Sequence, residues 1–210
     1  MKVRRIIVLT LIILVGGVTS AVADTLWGTY RDYAKVRVIV NGEDKTPINS
    51  NISPIKMDGS TMLPIDLVID SFGPLMHWDA TKQTLELNKP DVSLMIAKEF
   101  ISKKDEIFSL KYPFSGVKKG SVIDFVVLVQ VENLKVNWTN VEVALYSPND
   151  IKIVYFNTEM KPGKEESFYL PVDMKNVSFE ESGDYIVRVS FKTVDSDKYT
   201  VVSQKRIVSN

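Results

Sequence analysis

The sequence predicts a small α+β module followed by an all-β domain, both preceded by a removable leader. Three observations carry that prediction. Past the leader, helical periodicity occurs once, in a proline-led stripe near residue 65 set among short runs bounded by turn dipeptides. From Gly116 onward the apolar runs alternate with a period of two. Residues 1–23 instead join a basic start to an uninterrupted apolar run.

The leader comes first. Lys2, Arg4 and Arg5 precede "IIVLTLIILVGGV", a run of about 13 residues, which is short of the ~20 needed to span a bilayer as a helix. "AVA" at 21–23 supplies the small residues that signal peptidase reads. The pattern predicts a secretory signal peptide cleaved between Ala23 and Asp24, so that the membrane is met only through the leader before cleavage. The chain contains no cysteine. A lipidated N-terminal cysteine is therefore excluded, and an exported form must be stabilised by its core alone, a pattern that suits Gram-positive secretion. No sorting tail is expected from the closing "RIVSN".

Charge narrows the partners. The leader holds three of the 26 basic residues and none of the 26 acidic ones, leaving 23 against 26, a net charge of −3. A mildly acidic chain without a basic stripe has no electrostatic footprint for nucleic acid. The expected location is secreted, extracellular or cell-wall associated.

The first module is expected over residues 24–112. "KVRVIVNGED" alternates Val36, Val38 and Val40 and stops at Asn41-Gly42, a strand ending in a turn. "ISPIKMDGSTML" reads as a hairpin around Asp58-Gly59, with Pro54 marking an edge strand or a bulge. Pro64 then suits the first helical position, and Asp66 sits in the first turn, where the helix dipole favours a negative charge. Ile65, Val68, Ile69 and Phe72 form one apolar stripe, which Gly73-Pro74 stops. "LMHW", a turn at "DATK" and "QTLELN" make a further hairpin, and "VSLMIA" another strand. The segment "LWGTYRDY" at 26–33 is aromatic and reads as an extra edge strand or as a contact segment for a partner or a sugar.

That order of elements resembles the copper amine oxidase N-terminal-like domain over residues 35–97. The matching positions are Val38, Asn41-Gly42, Asp58-Gly59, Met62-Leu63-Pro64, Phe72-Gly73, Trp78-Asp79 and Thr84-Leu85-Glu86-Leu87. The resemblance implies a small α+β stalk module of exported Gram-positive proteins. Asp66 departs from it, because the family usually has an arginine two residues after the helix proline. The module also often occurs in tandem, and a single copy is visible here. Copper amine oxidase chemistry needs three histidine ligands and a tyrosine-derived quinone, whereas this chain has one histidine. No catalytic, cofactor-binding or metal-binding residue therefore carries over.

The one histidine, His77, has two readings. It could be the base of a Ser-His-Asp triad oriented by Asp79 or Asp70, but no "G-x-S-x-G" elbow supports it. The alternation of the strand accounts for it as scaffold, with either His77 or Trp78 facing the core. Asp66 and Asp70 read as a solvated helix face.

The second domain is expected over residues 113–210, with the boundary in "KYPFSGVKKG". Ile123, Phe125, Val127, Val129 and Val131 alternate, as do Val141, Val143 and Leu145, and again Tyr185, Val187, Val189 and Phe191. Turn clusters at "SPND", "KPGK", "EESGD" and "DSD" separate about seven short strands, the signature of an antiparallel sandwich. "ESGDYIV" at 181–187 resembles the immunoglobulin pattern, so the all-β domain is expected to be an immunoglobulin-like β-sandwich. The resemblance makes Tyr185 a tyrosine corner, Val187 the position of the second cysteine and Trp138 the inter-sheet tryptophan.

Other motifs fail. Asp195-Ser196-Asp197 opens like a calcium loop, but Thr200 and Arg206 stand where glycine and glutamate are needed. There is no phosphate loop, no "HExxH" and no Cys/His cluster. The expected function is that of a non-catalytic binding or structural protein at the Gram-positive surface. Its expected partner is a cell-wall polymer or a surface or secreted protein, with no small-molecule cofactor. The alternatives are a secreted inhibitor or accessory subunit of an extracellular enzyme and, less favoured, a carboxylate-based hydrolase.

Overall fold

The computed structural model describes residues 27–47, 52–102, 108–163 and 166–210. The expected leader and its Ala23–Asp24 junction lie outside them. The chain divides into two units, residues 1–71 and 72–210, and the described residues are mostly strand with one short helix.

In the first unit, β1 (Thr29–Tyr30), β2 (Tyr33–Lys35), β5 (Ile55–Met57) and β6 (Ser60–Met62) form a sheet in the order β1-β2-β5-β6, and β3 (Ile39–Val40) pairs with β4 (Glu43–Asp44). Asn41 and Gly42 have φ of 52° and 85°, and Asp58 and Gly59 of 49° and 80°. Paired positive φ values suit the tight hairpin turns that Asn-Gly and Asp-Gly announce. Pro54 marks neither an edge strand nor a bulge. It is buried just before β5, which lies inside the sheet, and its carbonyl accepts a hydrogen bond from Val36 N at 3.0 Å. A proline ahead of a strand removes no ladder donor, so an inner strand tolerates it. "LWGTYRDY" supplies β1, an edge strand.

The helix α1 spans Ile65–Phe72, immediately after Pro64. Its buried residue is Leu67, while Ile65, Val68 and Ile69 are half-buried and Phe72 is exposed. The apolar stripe is thus centred about one residue away from the expected line.

In the second unit, β7 (Leu75–Asp79) pairs with β8 (Thr84–Asn88) as a separate hairpin. The remaining strands are β9 (Asp91–Ser102), β10 (Phe108–Pro113), β11 (Gly116–Val117), β12 (Val122–Glu132), β13 (Trp138–Tyr146), β14 (Lys152–Gly163), β15 (Phe168–Ser178), β16 (Gly183–Thr193) and β17 (Ser196–Ser209). They form two sheets, β10-β9-β12-β15 and β11-β17-β16-β13-β14. β14 runs through "KPG", where a turn is expected. Inward residues of both sheets, among them Leu94, Ile96, Phe125, Val127, Val129, Val143, Val187, Val189 and Ile207, meet in one core.

The pairing within this sheet crosses the boundary expected at 112/113. β9 belongs to the first module by that boundary, yet it pairs with β12 from Asp91↔Glu132 to Ala97↔Val126. Val92, Leu94 and Ile96 alternate into the shared core, and a strand with such a face needs a sheet to lie in. Leu75 of β7 joins the same core. The two compact units of the chain meet between Ser71 and Phe72.

The opposite face of the first sheet also carries buried apolar residues, Val126 and Leu128. Phe108 packs at a tilt against Phe100 and reaches Tyr169 of β15, with ring centroids 5.7 and 5.2 Å apart. β15 is the far edge of that sheet, so the β9–β10 hairpin turns back across this face.

Candidate functional site

Two side-chain groupings in the second unit stand out. The first centres on His77, which lies on β7 opposite Glu86 of β8. Its Nδ1 donates to Asp195 Oδ2 at 2.7 Å. Asp195 occupies the turn between β16 and β17, so the bond joins elements 118 residues apart. The Asp195 carboxylate is the main reason the imidazole becomes more basic than usual; Glu86 and Asp79 add to this, and burial opposes it.

Among the described residues, no triad forms around His77 as the functional reading required. Asp79 turns away: its Oδ1 accepts from Thr81 N and Lys82 N at 3.0 Å each, and its Oδ2 pairs with Lys82 Nζ at 3.0 Å. These bonds, led by the one from Lys82 N, hold its carboxyl below the usual range. Asp70 belongs to α1 in the first unit, where with Asp66, Lys45 and Leu67 it lines a cleft of about 550 Å³. Trp78, beside His77, is half exposed. Asp195 was the residue missed. Its own loop motif failed as a calcium site, and nothing in the order of residues ties it to position 77.

The second grouping lies on the solvent-facing side of the β16-β13-β14 sheet. Along β13, Val141, Val143 and Leu145 point into the core, so Glu142, Ala144 and Tyr146 point away from it. Glu142 is nonetheless buried, and Lys152 Nζ donates to its two carboxylate oxygens at 2.8 and 2.9 Å. That bond raises the Lys152 ammonium above its ordinary pKa, against the cost of its partial burial. The Tyr146 and Tyr155 rings flank the ammonium at 5.9 and 5.3 Å. The Arg188 guanidinium lies 4.3 Å from the Tyr146 ring and pairs with Asp150 Oδ1 at 2.7 Å. The result is a pre-set surface of two aromatic rings and two cations. Alternation signals which of these residues face outward, but the strand register that joins them is absent from the sequence.

The expected tyrosine corner takes its shape. Glu181 N donates to Tyr185 Oη at 3.0 Å, and the buried ring packs on Phe179 at 4.8 Å. Trp138 is buried and stacks on Phe168, but it is not beside Val187. It pairs with Thr193, whereas Val187 pairs with Leu145, seven residues further along β13. The position expected of the inter-sheet tryptophan is therefore filled by aliphatic neighbours.

The copper amine oxidase N-terminal domain family matches residues 39–146, just over half of the chain. The chain belongs to that family. The match runs from β3 to the last residue of β13, well past residue 97, and includes His77, Glu142 and Tyr146. The copper amine oxidase N-terminal domain is a non-catalytic part of the oxidases that name it. The residues present do not fit a copper centre. The single imidazole is already bonded through Nδ1 to Asp195, and among the described residues no three His, Cys, Asp or Glu side chains converge to hold a metal. A similar solved structure is the CARDB domain of a Pyrococcus furiosus protein in complex with di-metal ions. It is 13% identical, with a TM-score of 0.29 over 59% of this chain and 96% of that one. No curated protein matches.

Proposed function

We propose that this chain is an exported, non-catalytic binding or structural protein of the Gram-positive cell surface, retained there by contact with a wall polymer. Its second unit works as an immunoglobulin-like sandwich that presents one sheet face. The observation that carries the reading is the outward network of Glu142, Lys152, Tyr146, Tyr155 and Arg188. Aromatic rings offer flat apolar faces to sugar rings, and fixed guanidinium and ammonium donors reach hydroxyl or carboxylate oxygens. The internal pairing fixes these groups before a ligand arrives, which lowers the ordering cost of binding.

Three features support the immunoglobulin-like architecture. They are the Tyr185 corner, the short parallel pairing of β11 with the last strand, and a strand order in which β12 and β15 share one sheet while β13, β16 and β17 share the other. The leader pattern of residues 1–23 supports export. The purified protein should co-sediment with isolated Gram-positive cell walls. Tyr146→Ala or Arg188→Ala should weaken that binding about tenfold, at an unchanged far-UV spectrum, as loss of an anchoring contact does. Absence of wall binding, or turnover of a glycan or peptide abolished by one Asp or Glu substitution, would overturn the reading.

A further inference from the structure

A cleft of about 450 Å³ opens in the first unit beside the segment "LWGTYRDY". That segment enters β1 only at Thr29, so Trp27 lies outside the strand, and it is 52% exposed. Trp27 and Pro54 give the cleft apolar walls, and Lys35, Arg37, Asp44 and Ser53 give it polar ones. The volume lies within the range of about 300–1,000 Å³ that small-ligand sites occupy.

A chain of bonds holds the tryptophan and its neighbours in place. Val38 N donates to Thr46 Oγ1 at 2.9 Å, and Thr46 N to Asp44 Oδ1 at 3.0 Å. Arg37 Nε donates to Asp44 Oδ2 at 2.8 Å, and its guanidinium lies over the Trp27 ring, 5.4 Å from the centroid. Thr46 first, and then Arg37, hold the Asp44 carboxyl down at about 2, so the Arg37 charge stays matched at neutral pH. Two backbone bonds fix the walls, from Lys35 N to Gly28 O at 2.9 Å and from Val36 N to Pro54 O at 3.0 Å. Lys35 differs from Arg37. Its ammonium has no carboxylate partner among the described residues, and the one acid among those lining the cleft, Asp44, is already paired. The cleft therefore sets one uncompensated positive charge beside an aromatic ring.

We propose that this cleft binds a sugar ring bearing one carboxylate, such as a uronic acid residue of an acidic glycan. The Trp27 ring is the flat apolar platform for the sugar face. The Lys35 ammonium takes the carboxylate in a charge-assisted hydrogen bond. The Ser53 hydroxyl and the remaining lone pairs of Asp44 meet ring hydroxyls as donor and acceptor. A bare anion leaves the tryptophan unused and a neutral sugar leaves Lys35 unpaired, so the site selects a ligand with both features. The ring and the Arg37–Asp44 pair are fixed before the ligand arrives, which keeps the ordering cost low. This assignment rests on the reading above in taking a glycan as ligand, but it uses a different unit and none of the Tyr146–Arg188 face.

The test is titration calorimetry of the purified protein with a glucuronic acid disaccharide and with the matching glucose disaccharide, each from about 0.1 to about 10 mM. The acidic sugar should saturate one site and bind about tenfold more tightly than the neutral one, the difference that one charge-assisted contact makes. Lys35→Met should abolish that preference without changing the neutral sugar's affinity, and Lys35→Arg should keep it. Trp27→Ala should weaken both sugars about tenfold at an unchanged far-UV spectrum, and Tyr146→Ala should weaken neither. Four results would each sink the proposal: no saturable binding of the acidic sugar, equal affinity for the two sugars, acetate or inorganic phosphate binding as tightly as the acidic sugar, or indifference to both Trp27→Ala and Lys35→Met. Co-sedimentation with cell walls can fail without altering any of these titrations, so the two readings fail separately.

Discussion

His77 is the only imidazole in the chain, so its ring protons are resolved without assignment and its titration can be followed directly. Asp195 stabilises the protonated ring, and the folded pKa therefore lies above the unfolded value of about 6.5. The stabilisation is fully present below that unfolded value and is lost as pH rises through the folded pKa. NMR titration should give a midpoint above 6.5 that falls in Asp195→Asn. The thermal midpoint should fall between pH 6 and pH 8 in the parent, by more than in His77→Gln, and a parallel pH response in the two proteins would remove the pair's role. Lys152 is tested differently. Lys152→Met leaves the buried Glu142 carboxylate without its partner. Because Lys152 is itself partly exposed, the cost should be about 1–3 kcal/mol in urea unfolding. Replacing both residues by leucine should recover most of that loss, since an apolar pair leaves no charge stranded.

At the scale of elements, the link from α1 to β7 rests on Gly73. Its φ is +66°, and a Cβ added there would overlap the carbonyl oxygen of Val201 on β17. Left-handed backbone and close approach both exclude a side chain. Gly73→Ala should cost about 2–4 kcal/mol by the combined strain and clash, whereas Gly120→Ala, also at positive φ but with open space around it, should cost only about 1 kcal/mol. Equal thermal shifts in the two variants would show that the contact with β17 does not matter. The turn glycines were legible because Asn-Gly and Asp-Gly announce their own geometry. Gly73 was legible only as a helix stop, since the strand that crowds it comes 128 residues later.

For the whole molecule, the division at Ser71–Phe72 changes which fragments should fold. Residues 72–210 carry both sheets and the full core and should unfold cooperatively by themselves. Residues 113–210 lack β9, leaving β12 without one neighbour and the core without Leu94 and Ile96. That fragment should show a broad transition and bind hydrophobic dye. A sharp, dye-free transition from 113–210 would restore the boundary expected in "KYPFSGVKKG".

The kinds of element and much of their order follow from local sequence alone. Hairpin turns, the single helix, the alternating strands after Gly116 and the Tyr185 corner all arise from neighbours a few residues apart, where φ preference and side-chain period act directly. The family was legible over residues 35–97 for the same reason, as an ordered string of local signals. Local signals stop at the element, however. Long-range packing sets the rest: β9 completes the β12 sheet, β5 is an inner strand, and Trp138 sits seven residues from the Val187 rung. The same packing brings His77 to Asp195 and gathers Glu142, Lys152 and Arg188 on one surface. Each of these depends on strand register and sheet order, which are set by how separate apolar faces bury one another and leave no trace in any one stretch of chain.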